Sequence, residues 1–263
     1  MSRIKSSRSL LVVVVAAIAL AAFPAVAGAT HSWGGYHWAR TSNPITLKLG
    51  DNVSGLWDGM LVNASSDWSQ SDVLDTTIVA GGTRPKICRP TTGRVEVCSA
   101  RYGNTGWLGV AQIWITNSVH IVKGTVKNNN YYFGSSSYPY NNTAEMQHVI
   151  CQEIGHIFGL DHQSTNGTSL NTCMDYYHNT SASDTLSTHP NAHDYEELGI
   201  IYSHLDGTTT VGSLPDSFAN GDFSSPSAWG RLVSMSRDGR ESTYVRDFGH
   251  GNLLVTHVIW AVQ

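Results

Sequence analysis

The sequence predicts an α+β domain, and two kinds of run and their grouping carry that expectation. Ile45-Thr46-Leu47-Lys48-Leu49 alternates apolar and polar residues, as a half-buried strand does. Trp57, Met60, Leu61, Ala64 and Trp68 recur at three- and four-residue spacing, as on an amphipathic helix. The order is strand, helix, several strands and then a long apolar helix, which suits α+β rather than a regular alternation of strand and helix.

Residues 1–29 read as a secretory signal peptide. Arg3, Lys5 and Arg8 give a positive start, Leu10 to Phe23 an apolar stretch, and Ala25-Val26-Ala27 or Ala27-Gly28-Ala29 a small-residue cleavage site. The apolar run is short for a membrane span and ends at Pro24, so the expected location is secreted and extracellular, with no stable membrane anchoring after cleavage. The remaining chain, roughly 235 residues, suffices for one good-sized domain with an appendage. A net charge of −4 without a basic block argues against nucleic acid as a partner. The 14% content of charged residues, with abundant Gly, Ser, Thr and Asn, suits a secreted chain of strands and loops.

The elements follow in order. After an aromatic arm from His31 to Arg40 come a strand at Ile45–Leu49, a helix at Leu56–Ser69 and a strand at Val73–Val79. Cys88 and Cys98 flank a segment that reads as a hairpin, and Trp107–Thr116 and Val119–Lys127 read as two more strands. Asn128-Asn129-Asn130 and Gly134–Asn142 are loops by composition. Asn142 or Thr143 caps a helix that ends near Phe158-Gly159, with Met146, Val149, Ile150, Ile154 and Ile157 on its apolar face. His189-Pro190 opens another helix that runs to about His204. From Asp206 a linker leads to strands at Arg231–Ser236, Ser242–Phe248 and Leu253–Val262, a β-meander. The expected organisation is therefore 1–29 leader, 30–205 main domain and 206–263 linker with a small β-rich extension.

The chemistry concentrates in Cys151-Gln152-Glu153-Ile154-Gly155-His156-Ile157-Phe158-Gly159-Leu160-Asp161-His162. On a helix, positions 152 and 156 share one face, with Glu153 beside them. Gly159 permits a sharp exit that swings His162 back toward the same point. Imidazoles and a carboxylate converging in this way suit Zn2+ and a general base.

At this stretch the chain resembles the metzincin zinc metallopeptidases, whose pattern is H-E-x-x-H-x-x-G-x-x-H with a downstream methionine turn. Here it reads Q-E-x-x-H-x-x-G-x-x-H, in the matrixin-like form E-I-G-H-x-F-G-L-D-H. The resemblance implies a zincin-like catalytic domain: a twisted mixed sheet, an active-site helix, a Met-turn and a C-terminal helix. It implies that His156 and His162 ligate zinc and that Glu153 takes a proton from the attacking water. Gln152 stands where the first histidine belongs, and its amide oxygen or a water would complete the shell; a neutral oxygen donor lowers zinc affinity. His148, one turn before Gln152, lies about 12 Å along the axis from His156, too far to share one ion with it.

The resemblance extends to Cys173-Met174-Asp175-Tyr176. Met174 would form the apolar floor of the site, and Tyr176 would stabilise a developing oxyanion. Four cysteines in an oxidising compartment favour two disulfides, Cys88 with Cys98 and Cys151 with Cys173, among three connectivities that the sequence permits. The function implied is that of a secreted, monomeric zinc endopeptidase. Its extended peptide or protein substrate would pair with a strand edge between Trp107 and Lys127. Two rivals stand beside it: an extracellular binding protein without the chemistry, and a structural zinc protein closed by a fourth protein ligand.

Overall fold

Stretches of β-branched and aromatic residues that are buried on both faces build the centre of this chain. The computed structural model describes residues 30–212 and 221–261; the leader expected at 1–29 lies outside them. The described strands are β1 (His37–Trp38), β2 (Ile45–Asn52), β3 (Leu74–Ala80), β4 (Val95–Ala100), β5 (Trp107–Thr116), β6 (His120–Asn129), β7 (Arg231–Met235), β8 (Glu241–Gly249) and β9 (Asn252–Trp260). The helices are α1 (Leu56–Trp68), the short α2 (Asn130–Phe133), α3 (Thr143–Ile157) and α4 (Ala192–Ile201).

All nine strands join one mixed sheet in the order β3-β2-β4-β6-β5-β9-β8-β7, with β1 beside β6. The half from β3 to β6 is parallel, and β6-β5-β9-β8-β7 is antiparallel. Side chains alternate across it. Ala111, Ile113, Ile115, Val255 and Ile259 face the main core with Trp68, Val149, Ile150, Ile154 and Ile157. On the other face, Trp107, Val110 and Val258 pack beneath Trp229, and Trp114 and Leu254 beneath Phe223.

Local chemistry sets the helix ends. Asn142 is the N-cap of α3, its side chain accepting from the Glu145 amide, and Asn191 forms a capping box with Asp194 at the start of α4. Gly159 follows α3 with φ of +95° and the Tyr36 carbonyl packed where a Cβ would stand, so only glycine fits this exit.

Disulfides join Cys88 to Cys98 and Cys151 to Cys173. The second ties the middle of α3 to the segment that carries Met174. The first does not close a hairpin, contrary to expectation. Pro85 and Pro90 remove two ladder donors from the preceding segment, and β4 has parallel neighbours on both sides, β2 and β6. The disulfide therefore clamps a loop onto β4.

Asn128 and Asn129 likewise lie in β6 rather than in a loop. The Asn129 amide donates to the carbonyls of Gly103 and Trp107, and its oxygen accepts from the amides of Tyr102 and Tyr131. Their side chains thus stitch the strand end to its neighbours, a role that composition does not reveal. The expectation of a free edge on β5 also fails, since β9 pairs along nearly its whole length.

On the face opposite α3, Gln112, Trp114, Lys123, Lys127, Asp222 and Phe223 line an 890 Å³ cavity. Lys127 is 4% exposed, and burial pulls its ammonium down to about 8, only partly offset by Asp222. Its folded pKa lies below the unfolded value, so the charged form is penalised in the folded state. That penalty is complete below about pH 8 and disappears as pH rises toward the unfolded pKa near ~10.4. Replacing Lys127 by Met should stabilise the protein by about 2 kcal/mol at pH 7, with the gain shrinking between about pH 8 and 10. Paired urea titrations of the two proteins across that range measure it.

Candidate metal centre

Three histidines from two distant parts of the chain meet at one point: His156 on α3, His162 in the turn beyond it and His257 on β9. Each offers a ring nitrogen within 4.8 Å of the others. Alternation along β9 aims His257 inward with Val255 and Ile259, and its pairing with Ala111 on β5 lays it over α3. His156 and His257 are wholly buried, and His162 is 7% exposed.

The outer nitrogen of each ring is committed. His156 Nδ1 donates to the Leu160 carbonyl at 2.9 Å, His162 Nδ1 to Asp161 Oδ1 at 3.0 Å, and His257 Nδ1 to Glu153 Oε2 at 3.2 Å. Protons placed on Nδ1 leave three Nε2 lone pairs turned inward, the arrangement by which metal-binding histidines are held. His156 Nε2 is buried without a hydrogen-bond partner, while the Nε2 atoms of His162 and His257 face Glu241 Oε2. Buried polar atoms are rarely left so, and a divalent cation among the three rings would satisfy it.

A carboxylate completes the set. Glu241, the first residue of β8, is fully buried, and its Oε2 lies 2.8 Å from His162 Nε2 and 3.2 Å from His257 Nε2. A tetrahedral zinc with bonds of ~2.0–2.1 Å places neighbouring donors about 3.3 Å apart; the three imidazoles lie within 4.8 Å of one another, and Glu241 stands at that spacing from two of them. Electrostatics agree. Burial acts against a charge on His162, yet Glu241 and Asp161 push it up to about 9, so positive charge is favoured here. Burial, together with the neighbouring Glu241, holds Glu153 well above the ordinary carboxyl range. Burial also holds His156 and His257 well below the usual imidazole value, reinforced by the other ring cations.

The expected site residues are placed as follows. His156, His162 and Glu153 come together. Gln152 Nε2 donates to the Asp175 carbonyl at 2.9 Å, and its buried Oε1 has no hydrogen-bond partner. His148 points to Asn179 and stacks on His178, which binds Glu145 at 2.7 Å. Tyr176 packs edge-on against His162, ring centres 4.3 Å apart, and burial followed by the nearby Glu241 carboxylate raises its phenol. Trp33 of the N-terminal arm stacks flat on His156 at 4.5 Å, a contact that the sequence does not suggest.

Met174 is fully buried beneath α3. A Cβ at Gly155 would stand 2.4 Å from Met174 Sδ and 2.7 Å from Trp68 Cζ2. Glu153 has an equally close neighbour in Gly109 of β5, where a Cβ would meet Glu153 Oε1 at 2.7 Å.

His257 and Glu241 are the site residues that sequence reasoning missed. The available signal was positional: His257 sits at an inward place in an alternating run, Val255-Thr256-His257-Val258-Ile259, where an apolar residue is expected.

No protein-family model matches the chain, and no curated protein does. Two solved structures overlap with its fold, "Structure of myroilysin" at TM-score 0.33 and 13% identity, and "Crystal structure of myroilysin" at TM-score 0.34 and 12% identity. The overlap covers 63% of this chain in both cases, and 96% and 86% of those chains. A likeness at this level carries no argument about activity. The fold is mixed α+β with a histidine-rich candidate metal centre.

Gly155→Ala should destabilise the chain by about 1–3 kcal/mol and weaken metal retention, because α3 has to lift off Met174 and Trp68. Gly199→Ala on α4, with nothing within 4 Å, should be neutral or mildly stabilising. Denaturation midpoints and zinc content of both variants provide the check.

Proposed function

We propose that this chain is a secreted zinc-dependent peptide hydrolase of the metzincin type, held in a self-closed form by its own C-terminal strands. The observation that carries the proposal is the convergence of three Nε2 lone pairs on the framework Glu153-x-x-His156-x-x-Gly159-x-x-His162. His156, His162 and His257 hold the metal in this reading, with His257 standing in for the histidine that Gln152 replaces. When bound, zinc supplies Lewis-acid polarisation of the scissile carbonyl and acidifies the attacking water.

The chain's own groups do the rest. Glu153, beside His257, takes the proton from the attacking water and passes it to the leaving amine. Its hydrogen bond to His257 orients that ring meanwhile. Tyr176, edge-on to His162, is positioned to donate to a developing oxyanion. Glu241 occupies the place that water and substrate need, and β8 covers the edge of β9 that a peptide would use. Catalysis therefore requires β7 and β8 to swing away. The strand β7 is exposed along its length and pairs only with β8, which makes it the weakest part of the closure.

One observation favours a second reading, a permanently closed structural zinc centre: the side chains of His156, His162, His257 and Glu241 are all buried. Zinc-loaded wild type and Glu241→Ala, assayed on a peptide library, separate the two. The hydrolase reading expects Glu241→Ala to gain at least about tenfold in cleavage and to lose that gain when Glu153→Gln is added. Zinc retained by both with no cleavage by either would leave the structural reading. In either reading, His257→Ala should lower zinc affinity roughly 100-fold or more, while Gln152→Ala changes it by less than about tenfold. Competition with a chromophoric chelator measures both.

A further inference from the structure

Away from this centre, a second set of metal-type donors gathers around Asp206, just beyond α4. His37 Nε2 lies 3.5 Å from Asp206 Oδ1, His120 Nε2 3.3 Å and His204 Nε2 3.6 Å. Three imidazoles thus aim the same ring nitrogen at one carboxylate oxygen. Ligand atoms of His37, His204 and Asp206 all lie within 4.8 Å of one another, and the ring planes cross steeply, 76° between His37 and His120 and 89° between His37 and His204.

These contacts are poor as ordinary ion pairs. A charge-assisted N–H···O bond runs at about 2.7–2.9 Å, and all three are longer. The His37 ring already donates through Nδ1 to the Gly35 carbonyl at 2.8 Å, so its neutral form turns a bare lone pair toward a carboxylate. His204 has its side chain 54% exposed, yet its ring turns toward Asp206 rather than into water. The separations do match the ~3.3 Å edge of a tetrahedral nitrogen and oxygen site. Arg40 supplies the outer support: its backbone amide and Nη1 each donate to Asp206 Oδ2 at 3.0 Å, which fixes the carboxylate with Oδ1 toward the rings.

We infer that His37, His204 and Asp206 form a second zinc site, with His120 beside it at Asp206 Oδ1, which staples the N-terminal arm to the segment leaving α4. Two imidazoles and one carboxylate select zinc-like borderline cations over magnesium or calcium. The nearby Arg40 charge opposes a cation, so this site fills after the first and binds it more weakly. The inference does not depend on the hydrolase reading, since the two sites share no residue.

The test is a zinc titration of the metal-free, disulfide-intact chain against a chromophoric chelator, for wild type, His204→Ala, His120→Ala/His204→Ala and His257→Ala. His204 is exposed and outside the core, so its removal leaves the fold intact, and circular dichroism verifies that. Two equivalents for wild type are expected, with the weaker one lost in both His204 variants and kept in His257→Ala. A second equivalent that survives the double variant would overturn the inference, as would a wild type that takes up one equivalent insensitive to His204. A single equivalent lost with His204 and kept without His257 would support this site and remove the first.

Discussion

The pairing of β9 with β5 is the constraint on which the metal centre depends. Its register sets Ala111 opposite His257 and Ile113 opposite Val255, and this places an imidazole from the end of the chain over the middle of α3. A slip of one residue would turn His257 to the far face, where Val258 packs beneath Trp229. Gly109 contributes in the same way from β5, since its missing side chain makes room for Glu153. The same pairing brings β8 alongside and delivers Glu241 to the histidines.

Such a cluster is costly without a cation. Two carboxylates and three imidazoles, nearly all withdrawn from water, repel one another in pairs and lack their usual solvation. Glu153 and Glu241 both lie above the ordinary carboxyl value through burial, and His156 and His257 below the usual imidazole value for the same reason. A divalent ion would satisfy the orphaned His156 Nε2 and balance the acidic side at once. The disulfide from Cys151 to Cys173 and the close contact of Gly155 with Met174 hold α3 in place.

Much of this fold was legible in the sequence because local rules decide it. The periodicity of β2 and α1, the Asn142 cap of α3 and the turn residues between β8 and β9 all follow from side chains within a few positions. The loop clamped by Cys88 and Cys98 and the Asn128–Asn129 strand end were less legible, since their backbone partners lie far away in the chain. The centre was half legible. His156, His162 and Glu153 sit in one short motif, whereas His257 and Glu241 are separated from it by about eighty residues or more and reach it only through strand pairing. Gln152 stands where the motif places a ligand; its Nε2 serves the Asp175 carbonyl and its Oε1 is buried without a hydrogen-bond partner.

The most direct measurement is anomalous diffraction at the zinc edge from crystals of the zinc-loaded chain. A peak bonded to the Nε2 atoms of His156, His162 and His257, with Glu241 in the fourth position, is the predicted result. A peak coordinated by Gln152 with His257 turned away, or density for metal nowhere near His156, would contradict the assignment of the third ligand to the C-terminal strand.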